Sequence, residues 1–279
     1  MTDNGNFITL TEMADGFSEH NLKQTGDLVD KMITVYAENG QVIQYQFKDM
    51  HNLSYEIIEG EHKGLGESVT YIATQPRKGY FYLGYVDQFN HFISVVLDFK
   101  KNIASLISGE FPTDETDTLP IFKRVMHDLP PHASKITCLH ASLDTPFNDQ
   151  TEKHEPSTDL VGQMVSYSYS EKDAYLHIYH PNNLFTWACF SGNEAELADT
   201  DYATFLKLDD DLYVIIWIEK VLHVISTILL DFKQMRSSGA MASYAGKDYA
   251  SDILMVPSGA VIEKIKAPNL TDLKPAKLS

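Results

Sequence analysis

His91-Phe92-Ile93-Ser94-Val95-Val96-Leu97-Asp98-Phe99-Lys100 is echoed later in the chain by His223-Val224-Ile225-Ser226-Thr227-Ile228-Leu229-Leu230-Asp231-Phe232-Lys233. The echo extends outward. Leu28-Val29 returns as Leu160-Val161, Met32 as Met164 and Gly60 as Gly192, each displaced by 132 residues. The Leu-Asp-Phe-Lys string is displaced by 133, so the second copy has gained one residue, which the string match places after Ser226. An offset held over this span means two copies of one β unit of roughly 85 residues, large enough for its own core.

A length of 279 residues suits two such domains. The 43% hydrophobic and 11% aromatic content belongs to packed cores, not disorder. A net charge of −17 repels nucleic acid and anionic membrane, which excludes phosphate-reading roles and favours neutral or cationic partners. Two cysteines, Cys138 and Cys189, are no disulfide framework. Residues 1–10 lack a basic start followed by an apolar run, and no apolar stretch reaches 18 residues, so a cytoplasmic location is expected.

Residues 1–27 read as a polar arm and 28–112 as a first β-barrel. Its opening hairpin is two strand-prone runs, 32–36 and 41–47, around Asn39-Gly40, which supplies the positive φ of a tight turn. Further strands are expected at 53–58, 68–74, 80–86, 92–99 and 103–108. Residues 113–157, rich in Pro and Asp, read as a linker with a short helix at 121–127. Residues 158–265 read as a second barrel, and 266–279 as a flexible tail. Each copy offers seven or eight short strands in up-and-down order. Closing such a sheet removes its edges, so the fold expected is all-β: two tandem antiparallel barrels. An eight-stranded barrel is just wide enough for packed side chains or one small ligand.

Alternate strand residues face the same side. That parity places Tyr167, Tyr169, Tyr175, His177, Trp187, Trp217 and Glu219 on one set of faces of the second copy, with His223 just beyond a turn. Taken singly, a strand tyrosine is ordinarily a packing residue. As a set they are more polar than a core built for stability, since each buried hydroxyl or carboxylate needs a partner. The matched positions of the first copy are Val35, Ala37, Ile43, Tyr45, Tyr55, Tyr85, Asp87 and His91. The tyrosine triplet is absent there, so the second copy reads as the site and the first as scaffold, while Asp87 and His91, which keep the acid and the last imidazole, leave a weaker site in the first copy open.

These same residues resemble a known family. Asp159-Leu-Val-Gly162, Tyr167-Ser-Tyr169-Ser170, Tyr175-Leu-His177-Ile-Tyr179, Thr186-Trp187-Ala188-Cys189, Asp211-Leu-Tyr213, Arg236-Ser-Ser-Gly239 and Pro257-Ser-Gly259-Ala260 resemble the C-terminal domain of the MoaF family, named for molybdenum cofactor biosynthesis. Gly16-Phe17, Asp27-Leu28 and Glu38-Asn39-Gly40 are similar to its N-terminal domain. The name implies phosphorylated pterins, yet the sequence has neither a Gly-rich phosphate loop nor a basic cluster at these positions. A more distant resemblance is to phenolic acid decarboxylases, single lipocalin-like (calycin-type) barrels. Gly162, Tyr167, Tyr169, Tyr175 and Trp217-Ile218-Glu219 meet their pattern. That resemblance implies tyrosines holding a substrate carboxylate and a glutamate handling a phenol proton. The active-site arginine of those enzymes falls near Leu197, a departure that separates this chain from their reaction.

The reading that follows is a cofactor-independent acid–base enzyme, a lyase or isomerase acting on a small aromatic or polyketide-like molecule. Glu219, Tyr167, Tyr169, Tyr175 and His177 would be catalytic, and Trp187, Trp217 and His223 would bind substrate. The alternative is a non-catalytic lipocalin-like binding or accessory protein of a biosynthetic pathway. A two-histidine, one-carboxylate metal set of His177, Glu219 and His223 ranks last. No cofactor or metal is expected. The partner expected is a small hydrophobic or aromatic ligand, and a homodimer is left open.

Overall fold

A computed structural model of the protein describes residues 8–265. The expected tail at 266–279 and the start of the arm lie outside the described residues. The first barrel comprises β1 (Met32–Ala37), β2 (Val42–Phe47), β3 (Asn52–Glu59), β4 (Gly66–Thr70), β5 (Ile72–Arg77), β6 (Tyr80–Val86), β7 (Phe92–Asp98), β8 (Ile103–Glu110) and β9 (Lys135–Leu143). Its strand order is β4-β3-β2-β1-β9-β8-β7-β6-β5. The two end strands are parted only by Tyr71, so the sheet curls round almost to meet itself.

The second barrel comprises β10 (Glu155–Pro156), β11 (Met164–Ser168), β12 (Ala174–His180), β13 (Leu184–Ser191), β14 (Ala198–Asp209), β15 (Leu212–Ile218), β16 (Ile225–Asp231), β17 (Arg236–Tyr244), β18 (Ile253–Ser258) and β19 (Val261–Ile265). In the path β14-β13-β12-β11-β19-β17-β16-β15 the last strand pairs back onto the first, which closes the ring. The single strand β14 spans the positions that β4 and β5 divide between them in the first copy. The all-β, two-barrel architecture expected from the duplication is therefore observed.

Four elements were not expected from the sequence, the two-residue strand β10 in the linker among them. Strand β9 lies within the segment read as a linker, and pairs with β1 and β8. It follows a long excursion carrying α2 (Ile121–Met126), the short helix anticipated there. Strand β17 is mostly Ser, Gly and Ala, residues of poor strand propensity, around Met241, and its buried run from Ser237 to Ser243 is set by packing. Within the arm, α1 (Leu10–Phe17) opens on a capping box in which Thr9 and Glu12 bond each other's backbone amides. Its Leu10, Met13 and Phe17 are buried in the core of the second barrel.

The retained strings have structural reasons. Asp98 Oδ1 accepts the amides of Lys100 and Lys101 at 2.8 and 3.2 Å, and Asp231 Oδ1 those of Lys233 and Gln234 at 2.9 and 3.0 Å. Each aspartate thus closes the same hairpin turn. Gly60 and Gly192 both hold positive φ, and a Cβ on Gly60 would lie 2.8 Å from the Gln41 backbone. The extra residue, however, is not where the strings put it. Tyr85 pairs with Ile93, whereas Trp217 pairs with Ser226. The turn is closed by Asp87 N to His91 O in one copy and by Glu219 N to Val224 O in the other. The insertion therefore sits in the turn, with Val224 standing where His91 stands. A turn absorbs an added residue, but within a strand it would send every later side chain to the wrong face.

The barrels join through their outer walls. Ile72, Tyr80, Tyr82, Phe92, Val96 and Ile107 of the first pack with Leu206, Val214, Ile216, Ile218, Ile225 and Leu229 of the second in one buried cluster. Strands β15 and β16 are consequently buried on both faces. Arg77 crosses the junction to Asp231, with Nη2–Oδ1 at 2.6 Å and Nε–Oδ2 at 2.9 Å. No helix among the described residues is long and apolar enough to cross a membrane.

Asp231 is 1% exposed and serves both a turn and the inter-barrel pair. Asp231→Ala leaves two amides without their acceptor and Arg77 with only Asp210 O, Asp211 O and the Asp209 carboxylate, and is expected to cost about 2–4 kcal/mol in urea unfolding. A loss below about 1 kcal/mol would show that the pair is screened like a surface ion pair.

Candidate functional site

The interior of the second barrel carries the side chains that parity assigned to it. Tyr167, Tyr169, Tyr175, Trp187 and Trp217 belong to one buried core cluster. His177 is 3% exposed and Glu219 8% exposed. The imidazole of His177 lies 4.1 Å from the Tyr167 ring, 5.2 Å from Phe185 and 5.9 Å from Trp217, centroid to centroid. His223 is not among them. It is the residue added in the turn, with φ of 53°, and its Nε2 faces the Tyr249 hydroxyl at 2.9 Å and Asp117 Oδ2 at 3.6 Å. The proposed His177–Glu219–His223 metal set is thereby split, and among the described residues no group of three or more His, Cys, Asp or Glu could hold a metal ion.

The polar groups inside are largely committed to one another. The hydroxyls of Tyr167 and Tyr179 share a short hydrogen bond. Tyr175 donates to Glu194 Oε2 at 2.9 Å, Trp217 Nε1 to Glu219 Oε1 at 3.0 Å and Trp187 Nε1 to Asp201 Oδ2 at 3.1 Å. Asp201 also accepts from Lys220 at 3.1 Å. Glu194, Asp201 and Tyr179 complete the polar interior. Tyr179 was legible from strand parity. Glu194 comes from a loop after β13, and only the fold reveals its direction.

Burial governs the protonation states. Desolvation, helped by the nearby charges of Asp201 and Glu194, holds Glu219 well above the usual carboxylate range. Burial likewise raises Glu194. Burial pushes His177 down to about 3, and its Nδ1 has no hydrogen-bond partner. The interior therefore disfavours the charged form of Glu219, Glu194 and His177 alike.

What it lacks is space. Met13 and Phe17 of α1 close the barrel, with the Phe17 ring stacked 4.0 Å from Tyr169 and edge-on to Tyr175 at 5.5 Å. The cavity that Glu219, His177, Glu194 and Trp217 share with Met13 and Phe17 is about 20 Å³. A water molecule fits there, and no aromatic substrate does. Leu197, where the decarboxylase pattern would carry its arginine, packs against the apolar core.

Comparison with known proteins places this fold. Residues 5–113 match the model of the MoaF N-terminal domain and residues 154–267 that of the MoaF C-terminal domain. The chain belongs to the MoaF family. It is 29% identical over 256 residues to Protein MoaF of Klebsiella aerogenes, covering 90% of this chain and 92% of that protein. Among solved structures, a putative beta-lactamase from Burkholderia vietnamiensis overlaps 38% of this chain and 96% of its own, at 15% identity and a TM-score of 0.31. A likeness at that score carries no argument about fold or chemistry. The MoaF matches span both copies, so the duplication belongs to the matched family pattern.

His177 supplies a test of this interior. In the unfolded chain its imidazole takes up a proton near its ordinary pKa of about 6.5. In the folded barrel it stays neutral until about pH 3. The unfolded state binds the extra proton between those values, so stability contributed by His177 falls as pH drops from about 6.5 toward 3. A His177→Phe variant should lose less unfolding free energy between pH 7 and pH 4.5 than the parent does. Equal losses would mean that the imidazole is solvated.

Proposed function

We propose that this MoaF-family protein is a cytoplasmic, non-catalytic small-molecule-binding or accessory protein of a biosynthetic pathway. The observation that carries this reading is the narrowness of the cavity between Glu219 and His177, about 20 Å³, which leaves room for a water molecule and not for a substrate. Charge supports it as well. Glu194 and Glu219 both line that cavity, and among the described residues no lysine or arginine does, so a substrate carboxylate would find no cation to pair with.

A second reading has one observation in its favour. Glu219 is held above the usual carboxylate range, as a general acid is, and it lines the same small cavity as His177. For a lyase or isomerase to work here, α1 must withdraw and take Phe17 from the Tyr169 face.

One experiment separates the two. The protein, its Glu219→Gln form and its Phe17→Ala form are incubated with 4-hydroxycinnamate and uncharged phenols, and compound and thermal midpoint are followed together. For a binding protein, an uncharged phenol raises the midpoint by on the order of a few degrees in the parent and Glu219→Gln alike, and is recovered intact. Consumption that Phe17→Ala accelerates and Glu219→Gln abolishes would establish the enzyme instead.

A further inference from the structure

The first barrel is hollow where the second is full. Its cup measures about 510 Å³, within the range of small-ligand sites. The reason lies in the repeat. Tyr169 and Tyr175 of the second copy are matched by Ala37 and Ile43, and no helix enters this barrel as α1 enters the other. Ile43, Ile93 and Leu139 point into the barrel yet remain only partly buried, because open space lies in front of them.

We infer that this cup is a binding site for a compact aromatic or alicyclic molecule that is uncharged or positively charged. The inference rests on the binding reading above and names where and what the protein binds. Apolar walls come from Ile43, Ile57, Leu65, Ile93, Leu106 and Leu139. At depth stand three phenol rings, Tyr45, Tyr55 and Tyr85, whose centroids are 5.6 to 6.5 Å apart. They present π faces to a flat guest or a cation. Two of their hydroxyls bond each other at 3.2 Å, and Tyr55 donates to Glu67 at 2.8 Å. Their polarity is thus satisfied without a guest, and the space between them suits an apolar one.

Sign selection comes from the lining charges. Glu61, Asp87 and Glu110 line the cup, and among the described residues no lysine or arginine does. Asp87 accepts the amides of Phe89 and His91 at 2.9 and 2.8 Å and faces His91 Nδ1 at 3.2 Å, which fixes its carboxylate at the cup. Phe89, 55% exposed, stands at the same rim with its ring 6.0 Å from that of His91. Glu61 stands exposed and Glu110 half-exposed at the rim, Glu110 with Lys135 at 3.4 Å, and the Asp87 side chain is only 9% exposed, so an anionic guest would pass two rim acids to meet the carboxylate of Asp87.

Three isosteres test this on the full chain by calorimetric titration: 2-naphthylmethanol, 2-naphthylmethylammonium and 2-naphthoate. The alcohol and the ammonium should each bind at one site, and the naphthoate about tenfold or more weakly. Ile43→Tyr with Ile93→Phe fills the cup and should weaken the alcohol by a similar factor. Circular dichroism checks that the variant folds. Should it not, Glu110→Lys serves instead and should narrow the gap between alcohol and naphthoate. Phe17→Ala, which opens the other barrel, should leave binding unchanged. Naphthoate binding as well as the alcohol would overturn the sign selection. Binding untouched by the filled cup or by Glu110→Lys, but changed by Phe17→Ala, would move the site to the second barrel and overturn this inference while the binding reading stands. No binding of any of the three to either barrel would overturn both.

Discussion

The burial of both faces of β15 and β16 is the constraint from which the molecule is built. A barrel strand ordinarily spends one face on its interior and the other on water. Here Tyr213, Ile215 and Trp217 face inward, while Val214, Ile216 and Ile218 face the other barrel. The inward set seals the second barrel, and the outward set fixes it to the first. Small residues on β17, from Ser237 to Ser243, fit the same crowded region. The Arg77–Asp231 pair then works in a wall already emptied of water, where its geometry selects one docking of the two barrels over others.

Much of this was legible in the sequence because duplication and alternation are robust signals. The repeat announced two barrels, and strand parity put Tyr167, Tyr169, Tyr175, His177, Trp187, Trp217 and Glu219 inside one of them. What escaped had physical causes. Strand β17 has no propensity for its conformation and is held by its neighbours. Helix α1 carried its signals in Thr9, Glu12 and the Leu10–Met13–Phe17 spacing, but eight residues with a glycine near the end make a weak pattern. His223 was misplaced because identical letters outweighed ladder register, which no single string reveals.

The contrast between the copies carries a different meaning in three dimensions. The tyrosines of the second copy were read as the furniture of a site, and they are also what fills it. Their absence from the first copy, read as loss, is what leaves a cup. In barrels of this width a few side chains decide between core and cavity. A polar, aromatic interior is therefore not by itself evidence of an accessible site, and volume has to be counted beside chemistry.

Helix α1 precedes the first barrel in the chain but caps the second. The two halves are thus wired crosswise: the leading segment of one copy completes the other. A gene cut between the repeats would give a C-terminal half lacking its own stopper, with Tyr169 and Tyr175 bared to water. A complete second barrel therefore draws on sequence from both sides of the first one.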